Sequence, residues 1–124
     1  MGVQGKIGFS TMTIDDLIAF GANVSEGLQR CLNKEDFYLR MVKKVPGDAN
    51  FQKLFDAMAA GDLATAFEAA HALKGATGNL SLTPIFAPTA EMTELLRART
   101  QTNYSTLLAA IRKGRDELEQ ICSR

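Results

Sequence analysis

Apolar positions recur at gaps of three and four through most of the chain. The clearest run is Phe51, Leu54, Phe55, Met58 and Ala59. It predicts an amphipathic helix opened by Asp48 and closed by Gly61. After a minimal turn, Leu63, Ala66, Phe67, Ala70, Leu73 and Leu80 continue the same spacing. They predict a second helix over 62–80, with Asp62 as its N-cap. A connection that short makes the two helices antiparallel neighbours. Thr83 reads as the next N-cap and Pro84 as the first helical residue. That helix runs to about Arg99 along Ile85, Phe86, Ala90, Met92, Leu95 and Leu96. Pro88 lies beyond its first position and is expected to kink it or shift its start. Asn103 opens the last helix, over 103–122, with Tyr104, Leu107, Leu108, Ile111, Leu118 and Ile121 on one side.

Ahead of these four, the pattern is shorter and more interrupted. Thr13 caps a helix to Phe20, with Asp15 and Asp16 in its first turn, and Gly21 ends it. Asn23 or Ser25 starts a second, with Val24, Leu28, Cys31 and Leu32 on one side, and Asn33 breaks it. A third runs from about Lys34 to Val45 and stops at Pro46-Gly47. Residues 1–12 lack a helical stripe and read as a flexible leader to a single domain over 13–124. No strand-like alternation and no internal repeat is visible. The fold class is therefore all-α: an antiparallel four-helix bundle with short additional N-terminal helices. The pattern leaves open whether 34–45 joins the bundle or caps it.

Composition narrows the function classes. The chain has 124 residues, the size of one domain, and 46% are hydrophobic, enough for a compact core. Its 14 basic and 14 acidic side chains balance, without the basic excess typical of a nucleic-acid binder. No apolar run approaches the length of a membrane span, and no secretory leader is recognisable, so a cytoplasmic location is expected. Cys31 and Cys122 are far apart, lack metal-type spacing and read as buried free thiols. Arg40, Lys43 and Lys44 form a basic cluster that reads as a solvated face.

One position carries chemistry. His71 is the single histidine, and at 100° per residue it points away from the apolar stripe of its helix. Glu68, His71, Gly75 and Gly78 share a second, outward face. Lys74 lies three residues after the histidine, so its ammonium group can reach the space in front of the ring. Each interior glycine costs roughly 1 kcal/mol relative to alanine, so something must need close approach: a neighbouring helix or a docking partner. An exposed, neutral imidazole is a nucleophile, and an adjacent lysine offsets negative charge arriving on it. The stretch supplies a nucleophile, a cation and a clear approach, without a general base, metal ligands or a nucleotide-binding loop. Glu68, one turn before His71, could hydrogen-bond the ring. Asn79 reads equally as a helix-ending residue and as a site residue.

The run His71-Ala72-Leu73-Lys74-Gly75-Ala76-Thr77-Gly78-Asn79-Leu80 resembles the signature of histidine-containing phosphotransfer (HPt) domains, roughly His-x-Leu-Lys-Gly-x-x-x-Asn-Leu. Ser81 departs from the pattern, since many members carry glycine there. The resemblance implies a helical bundle with an exposed histidine. His71 would be phosphorylated and Lys74 would stabilise the phosphate. Gly75 and Gly78 would give clearance to the partner, with Glu68 and Asn79 supporting. It further implies a phosphorelay carrier in two-component signalling that accepts a phosphoryl group from a receiver-domain phospho-aspartate and passes it to another receiver. Such a carrier is no self-sufficient enzyme, and no ATP-binding motif is present. The resemblance implies no cofactor of its own, Mg²⁺ being supplied by the partner receiver. The expected partners are response-regulator receiver domains and a hybrid sensor histidine kinase, with neither nucleic acid nor membrane, and the chain is expected to be a monomer. The competing reading is a helical adaptor that binds receiver or kinase domains without carrying phosphate. A phospho-accepting domain of a larger sensor kinase would look the same.

Overall fold

The computed structural model describes residues 12–124, and among them every regular element is a helix. Seven helices follow in chain order: α1 Ile14–Phe20, α2 Val24–Arg30, α3 Glu35–Lys44, α4 Ala49–Ala59, α5 Leu63–Asn79, α6 Thr83–Arg97 and α7 Ser105–Cys122. The expected leader lies outside the described residues except for Met12, which is buried beside Cys122.

Local chemistry explains the helix starts. Thr13 and Asp16 form a reciprocal capping box on α1. Asp48 accepts from the Asn50 N–H at 2.8 Å and Asp62 from the Thr65 N–H at 3.0 Å, as their N-cap positions require. Two starts differ from expectation. α6 begins at Thr83, with Leu82 rather than Thr83 at the N-cap. The preceding turn is so tight that the Leu82 carbonyl already takes the Phe86 N–H at 2.8 Å. α7 begins at Ser105, but Asn103 still accepts the Ser105 N–H at 2.8 Å. Pro88 sits inside α6 without ending it. Lacking an N–H, it leaves the Pro84 carbonyl without its helical donor. Gly114 of α7 packs against that carbonyl, where a Cβ would come within 3.3 Å.

Helices α4–α7 form the antiparallel bundle. Lys53 meets Glu68, Phe86 meets Gly78, Arg97 meets Phe67 and Ile85 meets Gly114. Phe51 and Phe55 of α4 lie under Arg115 and Arg112 of α7, so first and last helix also adjoin. α5 is the central helix, packed most extensively on α4 and α6. Its buried face is small: Ala66, Ala69, Ala70, Leu73 and Thr77. Small side chains let both neighbours approach closely, and Leu54, Ile85, Met92, Leu96, Ile111 and Leu118 fill the remaining core.

The N-terminal helices cover one end of the bundle. Tyr38 of α3 is fully buried and donates its hydroxyl to the Leu80 carbonyl at 2.9 Å. The Asn23 N–H donates to the Ser81 carbonyl, also at 2.9 Å. One residue expected on the apolar stripe of α2 is displaced. Leu32 is 76% exposed at φ 58°, because the chain reverses between α2 and α3 through two left-handed residues, Leu32 and Asn33.

Candidate functional site

α5 carries the site on the face opposite its alanine-rich core. His71 is exposed, and among the described residues no hydrogen bond fixes its ring. Phe67, one turn earlier, does so by stacking: the ring centroids are 5.6 Å apart and the planes differ by 7°. The Arg97 and Arg99 guanidinium carbons lie 5.0 and 5.7 Å from the Phe67 centroid. The imidazole thus stacks beside a ring that also has two guanidinium groups close to it. The apolar spacing of Phe67 is that of a core residue, but it is only partly buried.

The other expected residues fall into two groups. Lys74 and Gly75 stand with His71. A Cβ at Gly75 would meet nothing within 4 Å, so the surface beside the ring is open. Gly78 differs, since a Cβ there would lie 2.9 Å from the Phe86 ring. Its missing side chain is spent on packing α5 against α6. Glu68 is exposed and pairs with Lys53 at 3.8 Å, on α4, rather than with the imidazole. Asn79 is exposed at the last position of α5.

The helix ends just past Asn79 in a Schellman turn. The Leu82 N–H bonds to the Thr77 carbonyl at 2.9 Å and the Ser81 N–H to the Gly78 carbonyl at 3.1 Å. Ser81 therefore sits at the left-handed position, with φ 54°, which favours glycine. Its hydroxyl compensates by donating to Glu26 at 2.7 Å.

Beside His71 opens a cleft of about 440 Å³, walled by α5, α6 and α2. Lys74, Gly75 and Asn79 line it together with Phe86 of α6 and Arg30 of α2. Two cations from different helices thus face the cleft that borders the histidine. Arg30 carried no sequence signal, since only the fold brings α2 to this end of α5. Each cation has a carboxylate nearby: Arg30 pairs with Glu26 at 3.7 Å and Lys74 with Glu94 of α6 at 3.7 Å. Glu94 also accepts from Arg97, through both carboxylate oxygens, at 3.3 and 3.4 Å. The Arg97 hydrogen bond, the largest influence, holds the Glu94 carboxyl below the usual carboxylate range; burial opposes it and ranks second, and the Arg97 and Lys74 charges lower it further by smaller amounts. Among the described residues no cluster of three or more metal-ligating side chains is present. No helix among them is long and apolar enough to cross a membrane.

The site is thus an exposed histidine in mid-helix, flanked by a cation and an open glycine, on a helical bundle. In comparison with protein families, the Hpt domain family model matches residues 47–122, the whole of α4–α7. The chain belongs to the Hpt domain family, whose members act in histidine phosphotransfer in phosphorelay signalling, with receiver domains and kinases as partners. Comparison with curated proteins and with solved structures finds no match.

Proposed function

We propose that His71 is the phosphorylated residue of a phosphorelay carrier located in the cytoplasm. It takes its phosphoryl group from the phospho-aspartate of a response-regulator receiver domain and hands it to another receiver. The observation that carries this reading is the exposed His71 ring with Lys74 one turn on and open space over Gly75, within the segment that matches the family. In the accepting step an imidazole nitrogen attacks phosphorus, the acyl phosphate P–O bond breaks, and the aspartate leaves as carboxylate. The ring then loses its remaining N–H proton to solvent, and the reverse step returns the phosphoryl group to the next aspartate. Mg²⁺ and the aspartate belong to the receiver.

The residues of this chain do the rest. Phe67 biases the ring toward the stacked plane, by about 1 kcal/mol. Lys74 offsets the charge of the arriving phosphoryl group, with Arg30 adding positive potential from across the cleft. Gly75 lets the receiver surface reach the nitrogen, and Asn79 lies at the rim of the same approach.

The test is phosphoryl transfer from a phosphorylated receiver with Mg²⁺. The wild-type chain is expected to gain an acid-labile, alkali-stable phosphate, and His71→Gln to gain none. Labelling of His71→Gln to the wild-type level would remove the assignment. Receiver binding that survives loss of His71, without any transfer to the wild type, would favour the adaptor.

A further inference from the structure

Glu94 has no part in the chemistry above, yet it holds the lysine that does. Its Oε2 is 3.7 Å from the Lys74 ammonium, while Arg97 donates to both of its oxygens. One carboxylate on α6 therefore binds two cations, one of them from the histidine's own face of α5. We propose that Glu94 is a positioning residue that sets how firmly this site holds a phosphoryl group, by keeping Lys74 drawn toward α6 until phosphate arrives. The inference rests on the phosphocarrier reading of His71.

A phosphoryl group brings close to two negative charges, against one on Glu94. Lys74 must leave the carboxylate to meet it, and Arg97 stays behind to neutralise Glu94. The exchange costs the phosphorylated state part of the attraction that Lys74 would otherwise give. Both partners are solvated, Lys74 with 33% and Glu94 with 59% of its side chain exposed, so the cost is limited. Exposed pairs of this kind shift equilibria by about two- to fivefold. For a carrier that must release its phosphate as readily as it accepts it, such a weakened grip is useful. The opposite wall of the cleft is built alike: Glu26 pairs with Arg30 while the Ser81 hydroxyl donates to the same carboxylate.

The test uses protein phosphorylated on His71 with phosphoramidate, where the reagent's P–N bond breaks, ammonia leaves and the ring N–P bond forms. Phosphorus NMR then follows the second ionisation of the phosphoryl group. Glu94→Gln frees Lys74 and is expected to lower that pKa by roughly 0.3 to 0.7 units, the same two- to fivefold effect. In a Lys74→Gln background the shift is expected to fall below half, since the effect runs through the lysine. An unchanged ionisation in Glu94→Gln overturns the proposal. So does a shift that persists in full without Lys74, which would mean direct repulsion. Incubation of the same phosphorylated proteins with receivers separates the two readings. Transfer without any Glu94 effect defeats the Glu94 role alone. A Glu94 effect in a protein that transfers to no receiver defeats the relay and leaves the Glu94 role standing.

Discussion

Helices α4–α7 bury long apolar faces against one another, whereas α1–α3 bury one or two residues each, and the segment they span leaves Ile18, Leu32 and Phe37 exposed. The family match begins at residue 47 and so takes in the first group and leaves out the second. The bundle is held mainly by non-directional burial. The N-terminal layer buries Leu17, Tyr38 and Val42 in the same core, bonds to Arg124 and Arg115 through Asp16 and Pro46, and adds three directed bonds that converge on two residues, Leu80 and Ser81. Those residues form the turn that ends the histidine helix. The difference teaches that the bundle presents His71, while the layer fixes the end of its helix and places Arg30 and Glu26 on the cleft wall. The chain thus combines a family scaffold with a local attachment that shapes the cleft beside His71.

The strongest way to break this contrast is at Gly27. A Cβ there would lie 2.6 Å from the Tyr38 ring and 2.7 Å from the Leu80 carbonyl oxygen. The ring could turn, but the backbone oxygen belongs to the helix end and cannot yield cheaply. Gly27→Ala is expected to cost about 3 kcal/mol, concentrated in α1–α3. Chemical denaturation should lose its single transition, with the layer detaching before the bundle. Acceptance of phosphate by His71 should survive in the bundle that remains. A single transition, shifted as a whole, would show that the two regions are not separately held.

Tyr38→Phe tests the same attachment more gently. It removes the buried donor to the Leu80 carbonyl and is expected to cost roughly 1–2 kcal/mol. The pH dependence is diagnostic. Burial, with a smaller contribution from Cys31, pushes the Tyr38 hydroxyl up to about 12 in the folded protein. An unfolded tyrosine ionises near 10. The folded state therefore binds the proton more tightly. Its contribution is complete below pH 10 and is lost as pH rises toward 12. Urea unfolding between pH 8 and 11 should show stability falling in the wild type, with a shallower fall in Tyr38→Phe. Burial also raises the Tyr104 hydroxyl, so some slope will remain in the variant.

Two glycines of α5 sharpen the comparison inside the bundle itself. Gly75→Ala enters open space and gains helix propensity, so it should stabilise the protein by about 0.5–1 kcal/mol. Gly78→Ala meets the Phe86 ring at 2.9 Å and should cost about 1 kcal/mol after the same gain. Thermal unfolding reads both. Opposite signs at two glycines three residues apart would separate a residue kept for access from one kept for packing.

These two glycines also mark where sequence reasoning stops. Their spacing places both on the outward side of the helix, but only the antiparallel pairing of α5 and α6 brings Phe86 over Gly78. The features legible in advance were local or periodic: the caps at Thr13, Asp48 and Asp62, the stripe through Phe51 and Phe55, and the outward direction of His71. Leu32 was misplaced because periodicity says nothing about where a helix stops, and α2 ends at Arg30, just before it. Glu68 turned to Lys53 of α4, a partner that no reading of one helix reveals. Phe67 shows a different limit. Its spacing is that of a core residue, and its outer surface carries the ring stack under His71.

The smallest expected effect is at Ser81, where strain and bonding oppose each other. At φ 54° a serine gives up about 1 kcal/mol relative to glycine. Its hydroxyl donates to Glu26 at 2.7 Å, a charge-assisted bond worth a similar amount in this half-buried setting. Ser81→Gly removes the strain and the bond together and should leave stability within about 0.5 kcal/mol of wild type. Ser81→Ala keeps the strain and loses the bond, so it should cost about 1 kcal/mol. Equal stabilities for the glycine and alanine variants would mean that the left-handed turn carries no strain. In both variants Glu26 loses its link to the turn and keeps only Arg30. The two should therefore share any change in how the cleft beside His71 receives a phosphoryl group, whatever their difference in stability.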